Sequence, residues 1–108
     1  MVLKTATFTA ETRFDGPTAF IDMNGEINGL ADESLGAAYE IAEQNKPASI
    51  VLNFAKVNYI NSTGIALIVG ILARARAVHI SMAASGLSEH YREIFTITRL
   101  SYFMDIQP

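Results

Sequence analysis

The chain has no cysteine and only three prolines in 108 residues. Without thiols, disulfides and thiolate chemistry are excluded, and a reducing compartment fits the composition. Charge is scarce: 18% of residues are charged and the net charge is −3. An acidic chain lacks the basic footprint that a phosphate backbone requires, so nucleic acid is not an expected partner. Long apolar runs are missing too. The longest, residues 64–73, is about half of the ~20 residues a membrane helix needs. The start, MVLKTATFTAETRF, has no apolar core of the length a signal peptide uses. These features suggest a cytoplasmic domain without membrane insertion.

Several chemistries also lack their residues. There is no G-x-x-x-x-G-K-[ST] phosphate loop and no G-x-S-x-G elbow. The two histidines, His79 and His90, have no cysteine or carboxylate set at metal spacing. His79 reads as a strand-edge residue and His90 as a solvated first-turn residue. Neither a cofactor, a metal nor an enzymatic activity is expected.

What is present is a globular composition, half of it hydrophobic, of a length that fits one domain over 1–108. Residues 5–14 alternate and are rich in threonine and phenylalanine, as a strand does. Asp15-Gly16-Pro17 marks a turn. Residues 18–27 set Ala19, Ile21 and Met23 against Phe20, Asp22 and Asn24, a second strand completing a hairpin. Residues 31–45 carry Leu35, Ala38, Tyr39 and Ala42 at helical spacing, with acids in the first turn. Residues 48–54, ASIVLNF, form the continuous apolar run of a strand buried on both faces. KVNYINS reads as a loop. A second helix is expected over 63–78, a strand over 79–85, a turn at Gly86 and a third helix capped by Ser88. In that helix Tyr91, Ile94, Phe95 and Thr98 make the inner stripe. Residues 102–106 suggest a short closing strand. The order ββαβαβα(β) implies an α/β fold. It has a mixed, mostly parallel sheet, an N-terminal antiparallel hairpin and helices packed on the sheet.

The chemistry gathers at residues 59–66, YINSTGIA. Asn61, Ser62 and Thr63 can each cap a helix N-terminus. Directly after them runs IALIVGILA, nine residues without a polar side chain. A helix apolar all round is normally buried all round. Either the neighbouring helices cover it or the remainder forms a partner surface. Ser62 has two readings, a plain N-cap and a phosphoacceptor. A helix N-terminus tolerates an added phosphate, because its dipole and free N–H groups favour an anion. The phosphate would leave the fold intact and put roughly −1.5 to −2 charges beside an apolar face.

The segment IVLNFAKVNYINSTGIALIVGILARAR resembles the centre of STAS domains, the family named for sulfate transporters and anti-sigma factor antagonists. Their pattern is a strand similar to VLDLSGV, then DSSG or DSTG, then a hydrophobic helix. MNGEI is similar to the family's GEL or GEI at the second strand. GLSEHYREIFTITRLSYFMDI resembles the last helix and tail. The resemblance spans nearly the whole chain. It implies an αβ domain that acts by binding. In the stand-alone members, an anti-sigma factor with a GHKL-type serine kinase fold phosphorylates the motif serine, and a PP2C-type phosphatase resets it.

Ser62 falls at that phosphoacceptor, with Thr63 as the alternative, and Gly64 completes the motif. The implied docking surface comprises Asn28, Asn58, Tyr59, Ile60, Asn61, Thr63 and Gly64. To these the hydrophobic pattern adds Ile65, Ile68, Val69 and Leu72. Asn61 and Asn28 stand where the family usually has Asp, so a negative charge is lost twice. The helix-to-strand connection at Ala77-Val78-His79 is shorter than the family's usual turn. Two functions follow. One is an anti-sigma factor antagonist switched at Ser62. The other is a constitutive scaffold or ligand-binding module, stressosome-like or transporter-associated. A homodimer through the apolar helix is a further arrangement to test.

Overall fold

A computed structural model of the chain describes residues 2–5 and 7–108. Six strands form one sheet: β1 (Val2–Thr5), β2 (Phe8–Asp15), β3 (Thr18–Ile27), β4 (Ser49–Ile60), β5 (Ser81–Ser85) and β6 (Asp105–Ile106). Their spatial order is their chain order. β1, β2 and β3 pair antiparallel, and β3 to β6 pair parallel. Three helices make the parallel crossovers: α1 (Asp32–Gln44), α2 (Ser62–Ala77) and α3 (Glu89–Ile97). The mixed, mostly parallel sheet read from the sequence is therefore present. The expected strand over 5–14 appears as β2, with β1 before it, and residue 6 of that span lies outside the described residues.

Right-handed crossovers between strands laid down in one direction put successive helices on the same face. Tyr39 of α1, Ile68 of α2 and Phe95 of α3 accordingly share one core with Ile21, Leu52 and Met82. Phe54 and Phe95 meet edge to face at 5.6 Å, a favoured aromatic geometry. The alternation of β3 is as the sequence implies: Ala19, Ile21 and Met23 are buried, while Asn24 is exposed.

The opposite sheet face carries Arg13, Phe20, Asp22 and Asn53. Arg13 Nε donates to Asp22 at 2.6 Å, and Asn53 Nδ2 donates to the same carboxylate at 2.9 Å. The Arg13 guanidinium lies 4.1 Å over the Phe20 ring. Burial pushes the Asp22 carboxyl up, but the hydrogen bonds from Arg13 and Asn53 and the nearby positive charges more than offset it. The net position is below the ordinary carboxylate value.

Two elements depart from expectation. β4 does not end at residue 54. It runs on to Ile60, pairing Glu26 with Tyr59 and Ile27 with Ile60 after two register shifts. Residues 56–60, read as loop, are strand. The short connection after α2 also has a physical account. Val78, His79 and Ile80 close the helix end, with His79 N–H donating to Arg76 O at 3.1 Å and Ile80 N–H to Ala75 O at 2.9 Å. His79 takes a left-handed backbone, φ 61°, at the position where helices usually place glycine. It is a turn residue ahead of β5, not a strand-edge residue.

The Gly86 turn is confirmed at φ +72°, and a Cβ there would stand 2.7 Å from Ala55 N. Ser88 caps α3 by accepting from Tyr91 N at 3.2 Å. In the inner stripe Tyr91 and Phe95 are buried and Ile94 is half-buried, but Thr98 is exposed. It lies past the end of α3 and turns its hydroxyl back to Ile94 O at 2.7 Å.

Candidate functional site

β3 and β4 run parallel, so their last residues emerge at one edge of the sheet, beside the start of α2. Asn61 N–H donates to Ile27 O at 3.2 Å and ties the two strand ends together. Asn61 then opens α2 with an extended backbone, and its Oδ1 accepts from Gly64 N at 2.8 Å. Its carbonyl takes the first intrahelical bond, from Ile65 N at 2.9 Å. The N-cap is therefore Asn61 and not Ser62. An amide oxygen satisfies a backbone N–H as a carboxylate oxygen does, so Asn in place of Asp keeps the cap.

Ser62 is thereby released from a structural duty. It is the first residue of the helix, it is exposed, and its hydroxyl makes no hydrogen bond to any other described residue. The first-turn N–H groups and the positive end of the dipole lie beside it. A nucleophilic oxygen at such a place is open to a transferring enzyme, and an anion formed there is stabilised. Thr63 next to it is exposed as well.

Gly64 is set by packing. A Cβ on it would overlap the Ile27 carbonyl oxygen and stand 2.8 Å from the carbonyl carbon. Only glycine lets α2 begin this close to the end of β3. The loop after β3 completes the rim. Asn28 Oδ1 accepts from Leu30 N at 2.9 Å, capping the 3-10 turn Gly29–Ala31. Gly29 lies close by: a Cβ on it would be 3.5 Å from Thr63 Cγ2. Here too an amide does the capping that a carboxylate would do. Asn58 and Tyr59, on the end of β4, are exposed, Tyr59 by 52%.

The structure thus brings Asn28, Asn58, Tyr59, Asn61, Ser62, Thr63 and Gly64 to one rim. It corrects three of the docking residues expected from the sequence. Ile60 and Ile68 are buried in the core where a partner cannot reach their side chains, and Leu72 is 4% exposed, at the floor of a groove and not on an open face. Gly64 is buried as well and acts through close packing. On α2, Ile65 is half-buried, and the exposed apolar residues are Ala66, Val69, Gly70, Ala73 and Ala77. The apolar helix is therefore mostly covered, with a narrow outward stripe of mainly small residues. Of the acids that the sequence sets nearby, Asp32 and Glu33 are exposed and Glu26 is half-buried beside Asn28.

Two features had no signal in the sequence pattern. Tyr91 on α3 hydrogen-bonds both backbone groups of Ile60, its Oη accepting from the N–H at 2.8 Å and facing the carbonyl at 3.4 Å. This anchors the strand end that carries the rim. Arg74 and Arg76, in the last turn of α2 where the helix dipole favours cations, lie over the rings of Tyr39 and Phe103 at 4.6 and 4.5 Å.

A family model described as STAS domain matches residues 9–108. Among solved structures, the chain is similar to the anti-sigma factor antagonist SpoIIAA in its unphosphorylated form. The TM-score is 0.71 at 21% identity, covering 92% of this chain and 87% of that one. It is similar to the Bacillus cell fate determinant SpoIIAA in the phosphorylated form, with TM-score 0.70, 23% identity and coverage of 92% and 91%. It is also similar to an anti-sigma factor antagonist from Mycobacterium paratuberculosis, with TM-score 0.77, 16% identity and coverage of 98% and 91%. No curated protein matches the chain in sequence. At these identities the structural likeness establishes the fold.

Proposed function

The chain belongs to the STAS domain family, and from that premise we propose that it is an anti-sigma factor antagonist switched by phosphorylation at Ser62. The unphosphorylated rim binds an anti-sigma factor of GHKL-type serine kinase fold. Binding sequesters that factor and frees its sigma factor. The kinase transfers phosphate to the Ser62 Oγ, the complex separates, and a PP2C-type phosphatase restores the binding form.

The observation that carries this reading is the division of labour between neighbours. Asn61 holds the helix cap, so the adjacent Ser62 hydroxyl is exposed and uncommitted. Phosphate on Ser62 would meet the dipole and the first-turn N–H groups, so the fold would tolerate it. A docked partner would instead face a desolvated, unpaired charge, which costs on the order of 2–5 kcal/mol and so weakens binding from about thirtyfold to more than a thousandfold. That the similar SpoIIAA fold exists in unphosphorylated and phosphorylated forms supports the same economy here.

The test is binding of the purified chain to the kinase-type anti-sigma factor of its own cell, by calorimetry, with wild type, Ser62→Ala and Ser62→Asp. Ser62→Ala should bind as wild type does, and Ser62→Asp at least tenfold more weakly, with both variants unfolding at the wild-type temperature. Equal binding by both variants would overturn the switch and leave a constitutive binding module.

A further inference from the structure

A second surface lies at the other end of α2. Val69, Ala73 and Arg76 of α2 face Arg99, Leu100 and Phe103 across a groove of about 380 Å³. Phe103 is 50% exposed, and Ile97 and Tyr102, beside the groove in the chain, are 71% and 73% exposed. No residue lining the groove is acidic, although the chain as a whole carries −3. The Arg76 guanidinium is held over the Phe103 ring at 4.5 Å. Arg99 is exposed on the facing wall, where its backbone takes a left-handed φ of 64°. Aromatic and arginine side chains around an apolar trough are the composition of interface centres.

We propose that this groove docks an acidic amphipathic helix of a partner protein. Its apolar side chains fill the trough between Val69 and Phe103, and its carboxylates pair with Arg76 and Arg99. Charge selects this occupant. A second copy docked patch to patch would set Arg76 and Arg99 against their own equivalents. A second copy offering α1, the acidic helix of this chain, would present Asp32, Glu33, Ala37, Glu40, Ile41 and Gln44, among which only the half-buried Ile41 is a large apolar side chain, too little to fill the trough.

The groove is distinct from the Ser62 rim. Along α2 the groove begins at Val69, about 10 Å from Ser62, and its charged end, Arg76, is about 21 Å away. The second distance exceeds the roughly 8–10 Å screening length at physiological salt, so a charge on Ser62 leaves groove binding nearly unchanged. The domain thus has two separately addressable ends.

The test uses the ¹⁵N-labelled full chain and a synthetic amphipathic helix of leucine and glutamate, with a leucine–lysine counterpart. The glutamate peptide should bind saturably, with amide shifts centred on Val69, Ala73, Arg99 and Phe103. The lysine peptide should bind about tenfold more weakly or worse. Ala73→Glu on the α2 wall and Arg99→Glu on the opposite wall should each weaken the glutamate peptide about tenfold, while Ser62→Asp changes it less than about twofold. Several outcomes overturn the proposal: no saturation, equal binding of both peptides, or shifts confined to the Ser62 end. So do self-association blocked by Ala73→Glu, and preference for anionic lipid vesicles or a DNA oligonucleotide over the glutamate peptide. None of these bears on the Ser62 switch, whose own test reads binding of the anti-sigma factor and not of the peptide.

Discussion

Gly64 and the carbonyl of Ile27 are packed so closely that a side chain on residue 64 has nowhere to go. The obstruction is backbone, which cannot rotate aside. Gly64→Ala should therefore destabilise the domain at the upper end of the overpacking range, about 3 kcal/mol. Gly70→Ala on the same helix is the internal control. A Cβ there meets nothing within 4 Å, and the gain in helix propensity should stabilise by about 0.5–1 kcal/mol. Urea unfolding of the two variants should move in opposite directions.

Asn61 is the cap, and its replacement separates capping from charge. Asn61→Ala leaves Gly64 N without its partner and should cost about 1 kcal/mol. Asn61→Asp keeps the acceptor and adds a negative charge at the helix start, a gain of about 0.3–1 kcal/mol. With Ser62 phosphorylated the sign should reverse, because two anions then share one helix end. Thermal denaturation of both variants, with and without the phosphate, gives four midpoints that check this.

His79 supplies a third case. Its left-handed backbone at the end of α2 is a glycine position filled by histidine. His79→Gly should stabilise by about 0.5–1 kcal/mol, and the β-branched His79→Val should destabilise by at least about 1 kcal/mol. Equal stability of all three proteins would show that the cap does not constrain the chain.

Asp22 sets an acid limb of stability. Its carboxyl is below the ordinary value in the fold, while the unfolded chain has it near about 3.9. A lowered folded value means the contribution is complete above the unfolded value and is lost as pH falls through the folded one. The wild-type urea midpoint should fall more steeply than that of Asp22→Asn between about pH 4 and pH 2. The two curves should run parallel from about pH 5 upward.

Much of this architecture can be read from side-chain pattern where the environment is one-sided. β3 faces a helix layer on one side only, so its alternation marks the strand over 18–27 with the bounds observed. The end of β4 is different. Past Phe54 its exposed residues Ala55, Lys56, Asn58 and Tyr59 have the composition of a loop, and the two register shifts against β3 break any period. What keeps it a strand is Tyr91, 31 residues away, a contact with no local signature.

The docking face of α2 failed for a related reason. A helix apolar on every side has no phase, so Ile68 and Leu72 cannot be told from Val69 by pattern. The third dimension decides, through the sheet beneath the first two. That Asn61 holds the cap is not written in the pattern, since Asn61, Ser62 and Thr63 could each do so.

The strictly sequential order of the strands has one more consequence. Open α/β sheets receive small ligands in the crevice where the strand order reverses and crossovers depart to opposite faces. Here β3, β4, β5 and β6 follow one another without reversal, and their crossovers share a face. Among the described residues no topological switch point therefore arises at the carboxyl ends of β3 to β6, and the exposed Ser62 at the start of α2 is approached from outside the sheet and not from within such a crevice.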